Sequence, residues 1–392
     1  MSDDVLTSES VVPLDPVHEG EPLLSVRDLR VRFPTDDGLL KAVDGVSYDV
    51  YPNEVLGIVG ESGSGKSVSS LAIMGLLPGT AMIEGQILFR GQDLLHMREA
   101  ERRTLRGGRL AMVFQDALAA LNPVFTVGDQ IEEAIASHQP KIGRQAKRKK
   151  AIELLDLVGI PNPETRVDQF PHEFSGGMRQ RAMIAMAISN EPDVLIADEP
   201  TTALDVTIQA QVLEVLERIQ ERTNSAIILI THDLGVVAGV ADRVLVMYAG
   251  RPAEMGTVDE IFYAPRHPYT LGLIASLPRL DVGDKKERLY RIKGQPPSLI
   301  FVPSGCPFHP RCDFAKLPEP CASERPDLRI IEHAYATHQS ACHFAESLSD
   351  TTLAELHAEV GAELDVVEDA AALGSTEAAA VEALNVPADG GS

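Results

Sequence analysis

The sequence lacks the long apolar runs that a membrane-spanning helix needs. Its most apolar regions, Ala226–Ile230 and Val236–Val240, are interrupted by Thr231, His232 and Asp233. No run therefore approaches the roughly 18 apolar residues of a membrane-spanning helix. The first residues, MSDDVLTSES, have neither a basic start nor an apolar centre, which argues against a secretion signal. We expect an intracellular, soluble chain that would serve a membrane only through partner subunits.

An excess of basic residues is also missing. The 392 residues include 35 Lys and Arg against 58 Asp and Glu, for a formal net charge of −23. Six acidic residues lie in 1–22 and eleven in 345–392, and neither segment contains Lys or Arg, so 23–344 carries about −6. Nucleic-acid binding is disfavoured, because a phosphate backbone requires a basic face. The basic run 141–150 is interpreted as a solvated helix face.

The chain divides into segments of different character, being too long for a single ordinary core. Residues 1–22 lack periodicity and are predicted to be disordered. An α/β domain is expected over 23–265, followed over 266–344 by a small domain in which Pro, Cys and His are frequent. The Ala- and Glu-rich stretch 345–392 is expected to be a disordered acidic tail.

Apolar runs of two kinds predict the elements of the α/β domain. Three β-rich runs predict an antiparallel sheet: Leu24–Phe33, Ala42–Val50 and Ile83–Phe89. Four nearly continuous apolar runs predict strands buried on both faces of a parallel sheet: Val55–Val59, Leu110–Phe114, Val194–Ala197 and Ala226–Ile230. Helical stretches alternate with them, which favours an α/β core. Residues 116–188 are mainly helical and are expected to form an inserted subdomain.

A phosphate-binding loop follows the first buried strand. Gly60-Glu61-Ser62-Gly63-Ser64-Gly65-Lys66-Ser67 fits the pattern G-x-x-x-x-G-K-[ST], and it lies between the apolar strand and a helix, as that pattern requires. The glycines let backbone N–H groups converge on phosphate oxygens, and the helix start adds its positive end. Lys66 is predicted to reach the β- and γ-phosphates of ATP, and Ser67 to ligate Mg²⁺.

Two adjacent carboxylates follow another buried strand, Val194–Ala197. Asp198 is predicted to hold Mg²⁺ through water, and Glu199 to act as the base that orients or deprotonates the attacking water. An apolar run followed by Asp-Glu is a weak signal by itself. Together with the phosphate loop it predicts an ATPase.

With these motifs in place the chain resembles the ABC ATPase family. Phe174-Ser175-Gly176-Gly177-Met178 is similar to the family's signature loop, usually Leu-Ser-Gly-Gly-Gln, and departs from it at both edges. The resemblance implies the P-loop NTPase fold of an ABC cassette. It also implies that Ser175, Gly176 and Gly177 cap an ATP held by a second ATPase subunit, in a head-to-tail dimer.

The same resemblance assigns further site residues. Gln115 matches the family's Q-loop residue, which would touch Mg²⁺ and the attacking water and relay to the membrane subunits. His232 matches the switch histidine that contacts the γ-phosphate, and Ala203-Leu204-Asp205 matches the D-loop, so Asp205 is counted with the ATP site. For the adenine-stacking aromatic the candidate is Phe33, with a strand-end core residue as the plainer interpretation.

Other segments narrow the resemblance to ATPase subunits of dipeptide, oligopeptide and nickel permeases. These are Gln115-Asp116, Leu121-Asn122-Pro123, Thr126-Val127-Gly128, Arg266-His267-Pro268-Tyr269-Thr270 and Gly294-Gln295-Pro296-Pro297. The resemblance implies a sister ATPase chain, two membrane-spanning permease subunits and an extracytoplasmic solute-binding protein. It places the chain at the cytoplasmic face of the cell (inner) membrane. Residues Ala117–Ala120 depart from the group's usual Pro-Met-Thr-Ser, near the expected permease contact.

All four cysteines lie in the small C-terminal domain, and several interpretations remain open. They are Cys306, Cys312, Cys321 and Cys342. Disulfides are disfavoured in the cytoplasm, and the spacing lacks the close C-x₂₋₄-C pairs of structural zinc sites. The segment from Ser304 to Cys312 resembles a region of peptide-permease ATPases, some of which carry a [4Fe–4S] cluster. That cluster is predicted here, with zinc and unligated thiols as alternatives.

The sequence leaves open which cargo is carried and whether the partner ATPase is an identical or a sister chain. Peptides are the expected cargo and nickel is the alternative. A non-transport ABC ATPase acting on ribosomes or DNA is disfavoured, because the chain has one phosphate loop, no heptad run and acidic ends.

Overall fold

A computed structural model describes residues 20–202, 205–277, 290–332 and 337–348. Most of the predicted disordered N-terminus and nearly all of the predicted acidic tail lie outside these ranges. The strands are β1 (Leu24–Thr35), β2 (Gly38–Val50), β3 (Val55–Val59), β4 (Met82–Phe89), β5 (Gln92–Asp93), β6 (Leu110–Val113), β7 (Val194–Asp198), β8 (Ala226–Thr231), β9 (Arg243–Tyr248), β10 (Arg251–Thr257), β11 (Arg329–Ile330) and β12 (Gln339–Ser340).

The helices separate the strands of the core and cluster between β6 and β7. They are α1 (Lys66–Met74), α2 (Glu99–Leu105), α3 (Ala117–Ala120), α4 (Val127–His138), α5 (Arg144–Leu157), α6 (Pro163–Arg166), α7 (Gly176–Ala187), α8 (Val206–Thr223), α9 (Leu234–Ala238), α10 (Val258–Tyr263) and α11 (Pro268–Ala275). Within the described ranges no helix is both long and apolar enough to span a bilayer.

The described strands form two sheets. One is antiparallel, in the order β2-β1-β4-β5, as the three β-rich runs near the N-terminus predict. The other has the order β11-β12-β10-β9-β3-β8-β7-β6, and its strands β9, β3, β8, β7 and β6 run parallel. Every residue of β3, β7 and β8 is buried, which explains why their sequences are continuously apolar rather than alternating.

The helices between β6 and β7 pack as one group and share a hydrophobic core with the parallel sheet. Ile131 of α4, Leu155 of α5 and Met183 of α7 belong to the same buried cluster as Val113 and Leu195 of the sheet. A parallel sheet, an antiparallel sheet and an inserted helical group together confirm the predicted fold class.

The chain beyond α11 returns to the parallel-sheet side. Strand β12 pairs antiparallel with β10, where Ser340 lies opposite Glu254. Phe308 packs with Tyr248 and Tyr269 in a third buried cluster, with ring centroids 5.2 and 5.4 Å away. The C-terminal segment is therefore held by the α/β core through both backbone pairing and aromatic packing.

The register of the parallel strands brings their carboxyl ends together. Val59 of β3 lies opposite Thr231 of β8, and Asp198 of β7 lies opposite Ile230 of β8. Val113 of β6 lies opposite Ala197 of β7. Loops that follow these strands meet at one edge of the sheet, which is where ligands bind in open α/β folds.

Candidate active site

The loop after β3 bends tightly into helix α1. Gly65, immediately before the helix, has a φ of +98°, and a Cβ there would lie 2.3 Å from the carbonyl oxygen of Ala42. Only glycine suits this position, because both the backbone conformation and the space exclude a side chain. The antiparallel sheet and the phosphate loop are thus in backbone contact.

Lys66 opens helix α1 and is folded over its own loop. Its Nζ donates to the carbonyl oxygens of Gly60, at 2.6 Å, and Glu61, at 3.1 Å. The side chain is buried, and this burial lowers the pKa of its ammonium group, whereas the nearby carboxylates of Glu199 and Asp198 oppose the shift. A triphosphate entering the loop would supply the negative charge that the buried ammonium group lacks.

Asp198 ends β7 and faces the start of helix α1. The hydroxyl of Ser67 donates to its Oδ1 at 2.9 Å. Burial raises the pKa of Asp198, and the neighbouring carboxylate of Glu199 adds to that shift, while the Ser67 hydrogen bond and the charge of Lys66 oppose it. A hydroxyl and a carboxylate at this separation are the oxygen donors that Mg²⁺ prefers.

Glu199 is the residue on which the loops of three strands converge. Its Oε2 accepts hydrogen bonds from Nε2 of Gln115, at 2.9 Å, and from the hydroxyl of Thr202, at 2.7 Å. Nδ1 of His232 lies 3.5 Å from the same oxygen. Glu199 has a φ of +47°, and its N–H donates to the carbonyl oxygen of Ile230 at 2.9 Å. A left-handed glutamate is a strained conformation of the kind found at functional sites.

A cavity of about 640 Å³ joins these groups, within the usual size range of small-molecule sites. Its lining includes Phe33, Leu40, Ala42, the loop from Glu61 to Val68, Gln115, Glu199, His232 and Leu299. Most residues predicted for the ATP site thus lie on one cavity, and Asp198 contacts it through Ser67. Phe33 lies in its wall, and its stacking role stays a prediction.

Sequence reasoning missed Thr202 and Leu299. Thr202 carries a weak signal, because it lies three residues after Glu199 and a hydroxyl there can turn back onto the carboxylate. Leu299 carries none. The hydrogen bond from the N–H of Lys41 to its carbonyl oxygen, at 3.2 Å, brings the C-terminal segment to the cavity.

The predicted signature loop lies elsewhere. Ser175 caps helix α7 by accepting the N–H of Met178, and Asp205 caps helix α8 by accepting the N–H of Ile208 at 3.0 Å. A Cβ on Gly177 would lie 2.6 Å from Cγ2 of Ile208, so the two helix starts are closely packed. Ser175, Gly176, Gly177 and Asp205 are not among the described residues that line the Lys66 cavity. Of the predicted D-loop, Ala203 and Leu204 lie outside the described residues.

The four cysteines line a second, small cavity together with aromatic side chains that include Phe308, Phe314 and Phe344. All four are free thiols. Burial raises the pKa of Cys312 and Cys342 to about 12, which keeps their unligated thiols protonated at neutral pH. Within the described residues no three His, Cys, Asp or Glu side chains are grouped to hold one metal ion. The [4Fe–4S] cluster therefore stays a prediction.

Three histidines that lie near the cysteines in the sequence have other partners. His338 is buried, with Nε2 2.7 Å from a carboxylate oxygen of Glu254. His309 lies 2.9 Å from the carbonyl oxygen of Cys306, and His343 lies 2.9 Å from that of Glu324.

Comparison with known proteins gives similarities over most of the described chain. The family described as "ABC transporter" matches residues 43–202, and the family described as "Oligopeptide/dipeptide transporter, C-terminal region" matches residues 253–321. The dipeptide transport ATP-binding protein DppD of Bacillus subtilis is 56% identical over 294 residues, which are 74% of this chain and 87% of that protein.

A longer relative and a solved structure extend the comparison. The oligopeptide transport ATP-binding protein OppD of Mycobacterium tuberculosis is 49% identical over 336 residues, or 86% of this chain, but the match spans only 54% of that protein. The dimeric structure of a bacterial ABC transporter cassette aligns with a TM-score of 0.55 at 24% identity, covering 60% of this chain and 98% of that one. At that identity the structural likeness shows the fold alone.

Proposed function

The chain belongs to the ABC transporter family, as an ATP-binding subunit of the dipeptide and oligopeptide type, and from this premise we propose that it hydrolyses ATP to energise peptide uptake. The observation that carries the proposal is the convergence of Lys66, Ser67, Gln115, Glu199 and His232 on one cavity at the carboxyl edge of the parallel sheet.

Each group in the cavity has a chemical task. Lys66 and the backbone N–H groups of the loop bind phosphate oxygens. Ser67 and Asp198 would hold Mg²⁺, which would supply positive charge for the phosphates. Glu199 accepts a proton from the attacking water, and Gln115 and Thr202 hold its carboxylate in place. His232 contacts the terminal phosphate, which its half-exposed side chain leaves room to reach.

A second ATPase subunit is needed to complete the site. Ser175, Gly176, Gly177 and Asp205 lie at helix starts away from the Lys66 cavity, where they can serve an ATP bound by a partner chain. Their closely packed helix starts offer N–H groups to an anion. We assign them to the facing site of a head-to-tail pair, whose partner is a sister chain. The test is size-exclusion chromatography of Glu199→Gln with Mg-ATP, alone and with the sister chain. Monomers under both conditions would contradict the pairing.

A cleft beside Gln115 is the proposed contact with the two membrane-spanning subunits. Exposed Leu76 and Phe114 line it together with Met183 and Met186 of α7. The cleft lies next to Gln115, which donates a hydrogen bond to Glu199, so a permease bound in the cleft could affect the proposed base. The subunit would then lie at the cytoplasmic face of the membrane, and an extracytoplasmic solute-binding protein would deliver the cargo.

Replacement of the exposed Phe114 tests this contact. Phe114→Asp should abolish co-purification with the permease subunits and leave ATP binding by the purified chain unchanged. A matched change at Phe301, which is also exposed, should leave co-purification intact. Co-purification of the Phe114 variant at the wild-type level would contradict the assignment.

Uptake in cells decides the cargo. Cells carrying Lys66→Ala or the wild-type chain are supplied with labelled dipeptides, tetrapeptides or Ni²⁺, with Lys149→Ala as a control because Lys149 is exposed. Loss of peptide uptake in the Lys66 variant supports the proposal. Loss of nickel uptake alone would favour the nickel alternative. No change in either would overturn the importer assignment, and cell fractionation would then test a non-transport ATPase.

The four cysteines are proposed to hold a [4Fe–4S] cluster, with zinc as the alternative ligand. Four thiols on one cavity among aromatic rings fit a group that needs thiolate ligands and low polarity. When bound, the cluster would supply the positive charge that stabilises thiolates at these buried positions. Anaerobic purification with iron, sulfide and zinc analysis tests this. A colourless, iron-free and fully active protein would contradict it.

A further inference from the structure

One ion pair connects the C-terminal segment directly to the phosphate loop. Nη1 of Arg311 donates to Oε2 of Glu61 at 2.6 Å, and Nη2 donates to Oε1 at 2.9 Å. The two residues are 250 positions apart in the chain. Such a two-point pairing of guanidinium and carboxylate is among the strongest and most directional in proteins.

The surroundings of Arg311 fix its position. Its Nε donates to the carbonyl oxygen of Lys293 at 2.9 Å, and its guanidinium lies 5.8 Å from the ring centre of Tyr248 and 6.0 Å from that of Phe308. The side chain is only 5% exposed. A charged group this deeply buried is stable only while it is paired.

Glu61 is held from the other side by the loop and the aromatic cluster. Its N–H donates to the hydroxyl of Tyr269 at 2.8 Å, and its carbonyl oxygen accepts from Nζ of Lys66 at 3.1 Å. The backbone of Glu61 therefore belongs to the phosphate loop, while its carboxylate points to Arg311.

An acidic side chain in this loop would oppose ATP unless its charge were compensated. A carboxylate beside a triphosphate repels it, most strongly where water is excluded. We propose that Arg311 is a positioning residue of the ATP site, which neutralises Glu61 and holds it turned away from the phosphates. The C-terminal segment then contributes to ATP affinity without touching ATP. This inference rests on the proposed function, because it assumes that the loop binds ATP.

The test measures the Kd for Mg-ATP of the purified full chain by isothermal titration calorimetry. Arg311→Gln should weaken binding at least tenfold, because the carboxylate of Glu61 is then unneutralised. Arg311→Lys keeps the charge and should stay within threefold of wild type. Glu61→Gln/Arg311→Gln removes both charges and should also return to within threefold. Glu61→Gln alone should bind at least as tightly as wild type, since no repulsion remains.

A second ion pair of the C-terminal segment provides the control. Nη1 of Arg325 donates to Oδ2 of Asp44 at 3.0 Å, and neither residue lines the Lys66 cavity among the described residues. Arg325→Gln should leave the Kd within twofold. Thermal unfolding without nucleotide is recorded for every variant, so that a loss of stability is separated from a loss of affinity.

The outcomes separate this inference from the function on which it rests. Unchanged affinity in Arg311→Gln, or a double variant that binds as weakly as Arg311→Gln, would overturn it. If Arg311→Gln does not fold, the double variant and Glu61→Gln decide: weak binding by either of these two proteins would overturn the inference. A wild-type chain that binds no Mg-ATP would overturn the proposed function and this inference together.

Discussion

The side-chain amide of Gln115 donates a 2.9 Å hydrogen bond to the carboxylate of Glu199. Gln115 follows β6, where the chain leaves the sheet for the inserted helices, and Glu199 follows the neighbouring strand β7. A movement of the helical group that displaces Gln115 would therefore change the hydrogen bond to the proposed base, Glu199. This pair links the surface assigned to the permease with the chemistry assigned to ATP.

Glu199→Gln should remove hydrolysis and leave ATP binding. The amide keeps the shape of the side chain but cannot accept the proton of water, so turnover should fall by about 10²–10⁴. Steady-state phosphate release and equilibrium binding of Mg-ATP measure the two effects separately. Turnover within tenfold of wild type would assign the base to another residue.

Thr202→Val should slow hydrolysis without weakening ATP binding. The valine has the shape of threonine but cannot donate the 2.7 Å hydrogen bond that orients Glu199. Loss of about 1 kcal/mol corresponds to a roughly fivefold lower kcat. Thr202→Ser keeps the hydroxyl and should restore most of the rate. Equal rates for the Val and Ser variants would show that the hydrogen bond has no role.

Gly65→Ala should disrupt the phosphate loop. At a φ of +98° and with Ala42 O 2.3 Å from the new Cβ, the change should cost about 1–3 kcal/mol of unfolding free energy and abolish measurable ATP binding. Gly79→Ala is the matched control, because nothing lies within 4 Å of its Cβ position. Its free energy of unfolding should stay within about 0.5 kcal/mol of the wild-type value. Urea denaturation and nucleotide titration check both. Wild-type behaviour of Gly65→Ala would mean that the loop can rearrange.

His267 should make the fold sensitive to mild acid. It is buried, and that burial lowers its pKa from 6.5 to about 3, while its Nδ1 accepts the N–H of Tyr269. Between pH 6.5 and about pH 3 the unfolded chain binds a proton at this histidine and the folded chain does not. The free energy of unfolding is therefore highest above pH 6.5 and falls as the pH decreases below that value. Between pH 7 and pH 5.5 this histidine should lower the free energy of unfolding by about 1 kcal/mol.

His267→Asn tests this pH effect, since asparagine can accept the same hydrogen bond without titrating. The variant should lose less unfolding free energy than wild type between pH 7 and 5.5, as measured by urea denaturation. His172→Asn, at an exposed position, should behave as wild type. An identical pH dependence in the His267 variant and wild type would exclude this histidine as the cause.

The sequence by itself determined the elements and the chemistry of each loop. Continuous apolar runs such as Val55–Val59 identify strands buried on both faces, because such strands have no polar side to show in the pattern. The phosphate loop is equally local, since its glycines, Lys66 and Ser67 act within one turn between a strand and a helix. The resemblance to a known family then assigned roles to Gln115 and His232 beside that of Glu199.

Only the tertiary structure decided which residues meet across long separations. Sheet order places β7 between β6 and β8, so that Glu199 lies against both Gln115 and His232. The same holds for Arg311, which sequence analysis left as one residue of a cysteine-rich segment. No local pattern encodes its pairing with Glu61, because that contact depends on how a distant segment packs around Tyr248 and Phe308. The chemistry of a single loop can be predicted from neighbouring residues. Charge compensation at a buried site depends on the fold, because its partners are distant in the sequence.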